Sequence, residues 1–359
     1  MITRITVSAA ALCFVLSTSS AAEAENKERG AASQEDWAAV EHCLDIIRQC
    51  QMNDGMIRIK GAGDAVWTVP YVSNFAAMAL LAANGVRRHP QDVQRVERWL
   101  LWYAANQEAD GTICDQEGTV AAYKSNGRKD STDAYAATFL MAAWRYSQAR
   151  GEKPRSEIVD AARKALSAIE AVAQEDGLTI AKPGWPMKYL MDNVEVHGGL
   201  HEGALFFDAV DSKKEAKNAR RLAARIAVGL GRFWSEERQY YEVALDTKGV
   251  YSGGFKKSYP DGLAQLFALA HIAPPRPELW ARVRKTFKPG DEGVPVERWL
   301  MAATRCAGAE ETGKLREATR QAMLHFTAEG VYVDRPALAI LALIDGRARF
   351  PDVPAASSK

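Results

Sequence analysis

The chain has little with which to cross-link itself or hold a metal: its 359 residues include five cysteines and six histidines. Cys43 and Cys50 stand seven positions apart in a segment of helical periodicity. That spacing separates them by about 10 Å along the axis, beyond the reach of a disulfide. No C-x-x-C pair and no H-E-x-x-H element occurs, so no metal and no cofactor is expected. Cys43, Cys50, Cys114 and Cys306 read as mostly buried thiols, with one long-range disulfide open in an oxidising compartment. An excess of either charge is also missing, since 46 Lys and Arg face 45 Asp and Glu and the signs are mixed along the chain. Nothing therefore pulls the protein toward nucleic acid.

No apolar run after the first residues approaches the length of a membrane span. ITVSAAALCFVL is shorter than the roughly 20 residues of a membrane span, and Ala22-Glu23-Ala24 fits an A-x-A cleavage site. Residues 1–24 read as a secretory signal peptide, which predicts a secreted or periplasmic protein with no integral membrane segment after its removal. No stretch beyond it has the composition of an interdomain linker. The expected organisation is one catalytic domain over 30–350 and a short C-terminal tail over 351–359.

What is present is a repeat. An acidic residue followed by glycine recurs in NDGMI at 53, ADGTI at 109, EDGLT at 175 and AEGVY at 328. Each copy follows a charged amphipathic segment and precedes, after a loop, a segment of alanine, leucine and aromatics. Six such pairs can be marked out. The charged members cover 34–52, 89–107, 154–174, 212–235, 276–287 and 310–326. The apolar members cover 70–84, 131–148, 192–209, 260–272, 295–307 and 336–345. NFAAMALLAAN and ALAILALI have almost no polar face, so these helices must be surrounded by protein, whereas the charged helices bury one stripe. An all-α ring of six inner helices inside six outer ones satisfies both patterns.

This alternation resembles the (α/α)6 barrel of the six-hairpin glycosidase superfamily over nearly the whole chain after residue 24, with small β-hairpins expected in the loops at the active-site end. NQEADGTI is also similar to the Q-x-x-D-G repeat of terpenoid cyclases, but their D-x-D-D and metal-binding elements are missing. The glycosidase resemblance implies a carbohydrate substrate and paired-carboxylate chemistry, with inversion the expected stereochemistry.

The loops from outer to inner helix (53–69, 108–130, 176–191 and 237–259) far exceed the usual four to six residues of a connection. They should open at one end of the ring, around the first turns of the inner helices. Gathered there are Tyr71 and Asn74; Asp130, Asp133 and Tyr135; Asp192, Glu195 and His197; and Tyr259 and Asp261. The loops add Trp67, Trp185, Lys188 and Tyr189. One carboxylic acid can protonate a leaving oxygen while another activates water or attacks, and flat rings can stack on sugar faces. Asp and Ser before a helix are also ordinary N-caps, worth typically about 1 kcal/mol, and Asp192-x-x-Glu195 fits a capping box. DSTD and DNVE nonetheless carry more acids than a cap needs.

Asp133 and Glu195 are therefore the expected acid–base pair, with Asp192 as a further catalytic candidate and the others as substrate-binding residues. A lyase on the same ring would instead use Lys188, Tyr189, His197 and Tyr259. A non-catalytic glycan-binding role in polysaccharide export is the third reading.

Overall fold

The computed structural model describes residues 32–344 and Val353. The expected signal peptide and all of the expected tail except Val353 lie outside the described residues. The chain alternates between outer helices α1 (Gln34–Cys50), α3 (Pro90–Asn106), α5 (Ser156–Val172), α7 (Lys213–Leu230), α9 (Pro277–Thr286) and α11 (Ala309–Leu324), and inner helices. The inner ones are α2 (Pro70–Val86), α4 (Asp133–Arg150), α6 (Leu190–Ala209), α8 (Leu263–His271), α10 (Val296–Cys306) and α12 (Asp334–Ile344). Helix starts follow local chemistry. Proline opens α2, α3 and α9, where its missing N–H costs nothing. Ser33 and Asp36 form a reciprocal capping box on α1.

Inner helices pack in the cyclic order α2, α4, α6, α8, α10, α12 and back to α2, which closes the ring. The α4–α6 contact is close enough that a Cβ at Gly199 would lie 2.5 Å from the Ala137 carbonyl oxygen. Gly199 thus serves close packing, which outweighs the helix propensity it sacrifices. Between the layers, Trp99 of α3 donates to Asn74 of α2 at 3.0 Å, and Tyr103 of α3 stacks on Phe139 of α4 at 4.1 Å. Each such fully buried ring contributes about 1.5–3 kcal/mol through burial.

The acidic–glycine turns explain how the outer layer is keyed together. Asp54, Asp110 and Asp176 each accept the N–H two residues on, and the following glycines take left-handed φ values of 103°, 85° and 92°. Each glycine lies against the next outer helix: a Cβ at Gly55, Gly111 or Gly177 would fall 2.5, 2.1 or 2.4 Å from the carbonyl oxygen of Arg98, Lys164 or Arg225. Gly330, the fourth copy, lacks this contact and meets Thr327 instead.

The long outer-to-inner loops carry the β-structure. Strands β1 (Ala65–Thr68), β2 (Gln116–Thr119) and β3 (Tyr123–Ser125) join the first two loops in one antiparallel sheet. Strands β4 (Met187–Tyr189), β7 (Ala244–Asp246) and β8 (Tyr251–Ser252) join the next two. A third hairpin pairs β5 (Trp234–Ser235) with β6 (Tyr240–Tyr241). The mouth is consequently a knitted rim. Cys43, Cys50, Cys114 and Cys306 are all free thiols, the first three buried, so the disulfide left open by the sequence does not form among them.

Candidate active site

Every inner helix starts at the mouth, so its first turn can present polar groups to the lumen. On α4, Asp130 is exposed just before the helix, whereas Asp133 is 0% exposed. The Asp133 carboxylate accepts hydrogen bonds from Thr179 Oγ1 at 2.6 Å and from the Ala134 N–H at 2.8 Å. On α6, Asp192 is half-buried and Glu195 is 1% exposed. Tyr71 Oη, reaching over from α2, donates to Glu195 Oε1 at 2.6 Å.

A cleft of about 360 Å³ opens above α4, α6 and α8, with Asp130, Lys182, Trp185, Tyr189, Asp192 and Tyr259 among its walls. Trp185 Nε1 donates to Tyr189 Oη at 3.1 Å, fixing one aromatic wall. Tyr259 is held from behind by Gly293, where a Cβ would lie 2.6 Å from the tyrosine Cβ. Lys182 is anchored through Nζ to the Lys129 carbonyl at 2.7 Å.

Electrostatics single out Asp192. Burial pushes its carboxyl well above the usual range, and the neighbouring Asp133 and Asp130 add to the shift. Burial likewise raises Asp133 to about 7, against the Thr179 and Ala134 hydrogen bonds that favour its charged form. Burial and Asp192 raise Glu195 to about 8, against the Tyr71 hydrogen bond and Arg298. The Tyr259 hydroxyl is raised by burial and then by Asp130 and Asp192, which places it within the field of both cleft carboxylates.

The expected site residues therefore divide. Asp130, Trp185, Tyr189, Asp192 and Tyr259 share the cleft. Asp133 and Glu195, expected as the acid–base pair, lie beneath it, each engaged by a protein hydroxyl. Tyr71 is half-buried and stacks on Tyr135 at 6.0 Å. Tyr135 is buried and donates to Asp115 at 3.0 Å.

Three residues expected to bind substrate are used within the fold. Asn74 is fully buried, accepting from Trp99 Nε1 and donating to Thr138 Oγ1. The buried Lys188 ammonium pairs with Asp176 at 2.6 Å, which spends it on the third acidic–glycine turn. Asp261 accepts from the N–H groups of Gly254, Lys256 and Lys257, anchoring the last long loop. His197 is buried within α6. Trp67 is exposed elsewhere on the rim.

Sequence reading missed three polar participants. Lys182 and Asp115 sit in loops already marked as long, and Asp115 is raised by burial to about 6 beside Asp130. Counting every charged loop residue, rather than Asp130 and Lys188 alone, would have found both. Thr179 carried no sequence signal. It donates to Asp133, and its backbone is pinned by both ends of the Asn193 amide. Among the described residues no group of three or more His, Cys, Asp and Glu side chains is placed to hold a metal ion, and no helix is long and apolar enough to cross a membrane.

No protein-family model and no curated protein matches the chain. Solved structures are similar to it. An α-amylase from Clostridium perfringens shares 11% identity over 85% of this chain and 96% of its own, with a TM-score of 0.56. An inactive variant of an α-1,6-mannanase from Salegentibacter in complex with α-1,6-mannotriose shares 12% over 86% and 98%, also at 0.56. A rhamnosidase from Klebsiella oxytoca with rhamnose bound shares 12% over 88% of this chain and 65% of its own, again at 0.56. Likeness at this identity is likeness of fold, and the fold it establishes for this chain is the (α/α)6 six-hairpin toroid.

Proposed function

We propose that the protein is an exported glycoside hydrolase in which Asp192 is the general acid and Asp130 the carboxylate that activates water. The observation that carries this reading is a half-buried carboxyl of raised pKa facing an aromatic-walled cleft, with an exposed carboxylate on the same wall. A carboxyl whose pKa burial raises is suited to donate to a leaving oxygen, while a second carboxyl on the same wall can take the proton of an attacking water. Asp133 lies below and adds to the upward shift that burial gives Asp192. The structural neighbours named as amylase, mannanase and rhamnosidase support glycan chemistry on this ring. Inversion remains the stereochemistry implied by the superfamily resemblance, and NMR of the first-formed anomer reads it.

The test is release of reducing ends from a panel containing starch, α-1,6-mannan and nitrophenyl rhamnoside. Asp192→Asn and Asp130→Asn should each lower kcat by about 10²–10⁴-fold, the usual range for a lost acid or base, without altering the circular dichroism spectrum. Full activity in both variants would overturn the assignment. The lyase reading is weaker because Lys188 is committed to Asp176 and His197 is buried; unsaturated products absorbing in the ultraviolet would restore it. Binding without any product would favour the glycan-binding reading. Export rests on residues 1–24, and the exported product should begin at Glu25.

A further inference from the structure

We infer that Trp67 and Tyr332 form a second glycan-binding platform on the mouth, across the ring from the cleft, so that the site takes chains long enough to occupy both. This rests on the reading of the cleft as a glycan site. The exposed aromatic side chains among the described residues are Trp67, Trp185, Tyr251, Tyr259 and Tyr332, and all of them belong to outer-to-inner loops at the mouth. Scattered apolar residues on a surface need no explanation, but confinement of every exposed ring to one rim does. Trp185 and Tyr259 belong to the cleft. Trp67 and Tyr332 do not, yet they meet edge to face at 6.2 Å and 74° while remaining 46% and 48% exposed. They make an open corner, with Lys60 Nζ 5.2 Å from the Tyr332 ring centre.

The corner is built rather than loose. The Ile59 N–H donates to the Trp67 carbonyl at 2.8 Å, the Val333 N–H to the Ile59 carbonyl at 2.8 Å, and the Gly61 N–H to the Ala328 carbonyl at 2.9 Å. Trp67 is also paired across the sheet with Glu117. Below it the buried Arg58 guanidinium donates to the Gly61 and Gly63 carbonyls. A backbone held this way loses little freedom on binding, which favours a ligand that stacks on the rings it carries.

Topology supplies the occupant. The platform lies on the loops entering α2 and α12, and the cleft on those entering α4, α6 and α8. In the cyclic order of the ring, α12 stands opposite α6. With neighbouring axes 8–10 Å apart, opposite sides are roughly 16–20 Å apart. One sugar cannot reach both sites, whereas an oligosaccharide laid across the mouth can, with the apolar face of a ring on Trp67 and hydroxyls near Lys60.

A glycan array bearing α-1,6-manno-oligosaccharides and malto-oligosaccharides of increasing length, probed with the Asp192→Asn protein, tests this. Binding should strengthen with chain length. Adding Trp67→Ala or Tyr332→Ala should weaken binding of the longest chains roughly five- to tenfold, as expected from about 1–1.4 kcal/mol of lost ring contact. The inference is overturned if Asp192→Asn binds none of these glycans, binds short and long ones alike, or keeps its length dependence in both added variants. Wild-type turnover on the same oligosaccharides separates this from the hydrolase reading. Hydrolysis whose length profile ignores Trp67 removes the platform alone, and Trp67-dependent binding without product removes the hydrolase and leaves the platform.

Discussion

Asp133, Asp192 and Glu195 crowd one side of the lumen, and their shared burial has a consequence for stability. Raised native pKa values mean that the folded protein keeps protons that the unfolded chain has released above pH of about 4. Their contribution is full below the ordinary carboxylate range and is lost as pH rises through about 7 for Asp133 and about 8 for Glu195. The urea midpoint should therefore fall between pH 5 and pH 9, by an amount on the order of a few kcal/mol in unfolding free energy. Glu195→Gln, which keeps an acceptor for Tyr71, should flatten the profile. A midpoint unchanged across this range in the wild-type protein would show that the trio is solvated. Sequence could identify these acids as more than a cap needs, because helix phase alone places them on the first turn. It could not give their depth, which is set by Thr179 of a distant loop closing over Asp133. Asp192 and Asp130 instead line the open cleft.

At the scale of elements, the acidic–glycine repeat proved legible as punctuation but not as a joint. The sequence shows turns between two kinds of helix; only the structure shows each of three turns seated on the next outer helix. Backbone approach needs the absence of a Cβ, and that need leaves no trace beyond the glycine itself. Gly111→Ala should therefore combine a left-handed φ of 85° with a Cβ placed 2.1 Å from the Lys164 carbonyl. Gly151→Ala shares a positive φ of 71° but opens onto empty space. Left-handed strain alone costs roughly 1–2 kcal/mol, and overpacking adds typically 1–3 kcal/mol. Chemical denaturation should rank Gly111→Ala well below Gly151→Ala in stability. Equal losses would mean that the turn can lift off α5 freely, and the keyed outer layer would have to be given up. The same distinction explains Lys188: its residue type suited a sugar site, but the turn acid Asp176 claims it.

A closed ring has no edge, but this one has a seam where the first and last helices meet. The alternation of helix types was enough to predict the ring because every inner helix needs neighbours on both sides. The seam chemistry was not, since its partners stand about 280 positions apart. Arg316 of α11 donates through Nη2 and Nε to Asp36 of α1 at 2.7 and 3.0 Å, and Arg320 donates to Glu35 at 2.7 Å. Burial alone would raise Asp36, but the Arg316 guanidinium and the Ser33 N–H outweigh it and hold the carboxyl below its ordinary value. A depressed carboxyl contributes stability above its unfolded pKa and loses it as pH falls, the opposite sense to the lumen trio. Acid should thus loosen the seam while it leaves the protonated lumen intact. Amide hydrogen exchange followed from pH 6 toward pH 3, corrected for intrinsic rates, should show α1 and α11 losing protection before α4 and α6. Asp36→Asn should show this early loss already at pH 6. Uniform loss across all helices would instead mean that the ring opens as one unit, and the seam would have no separate stability.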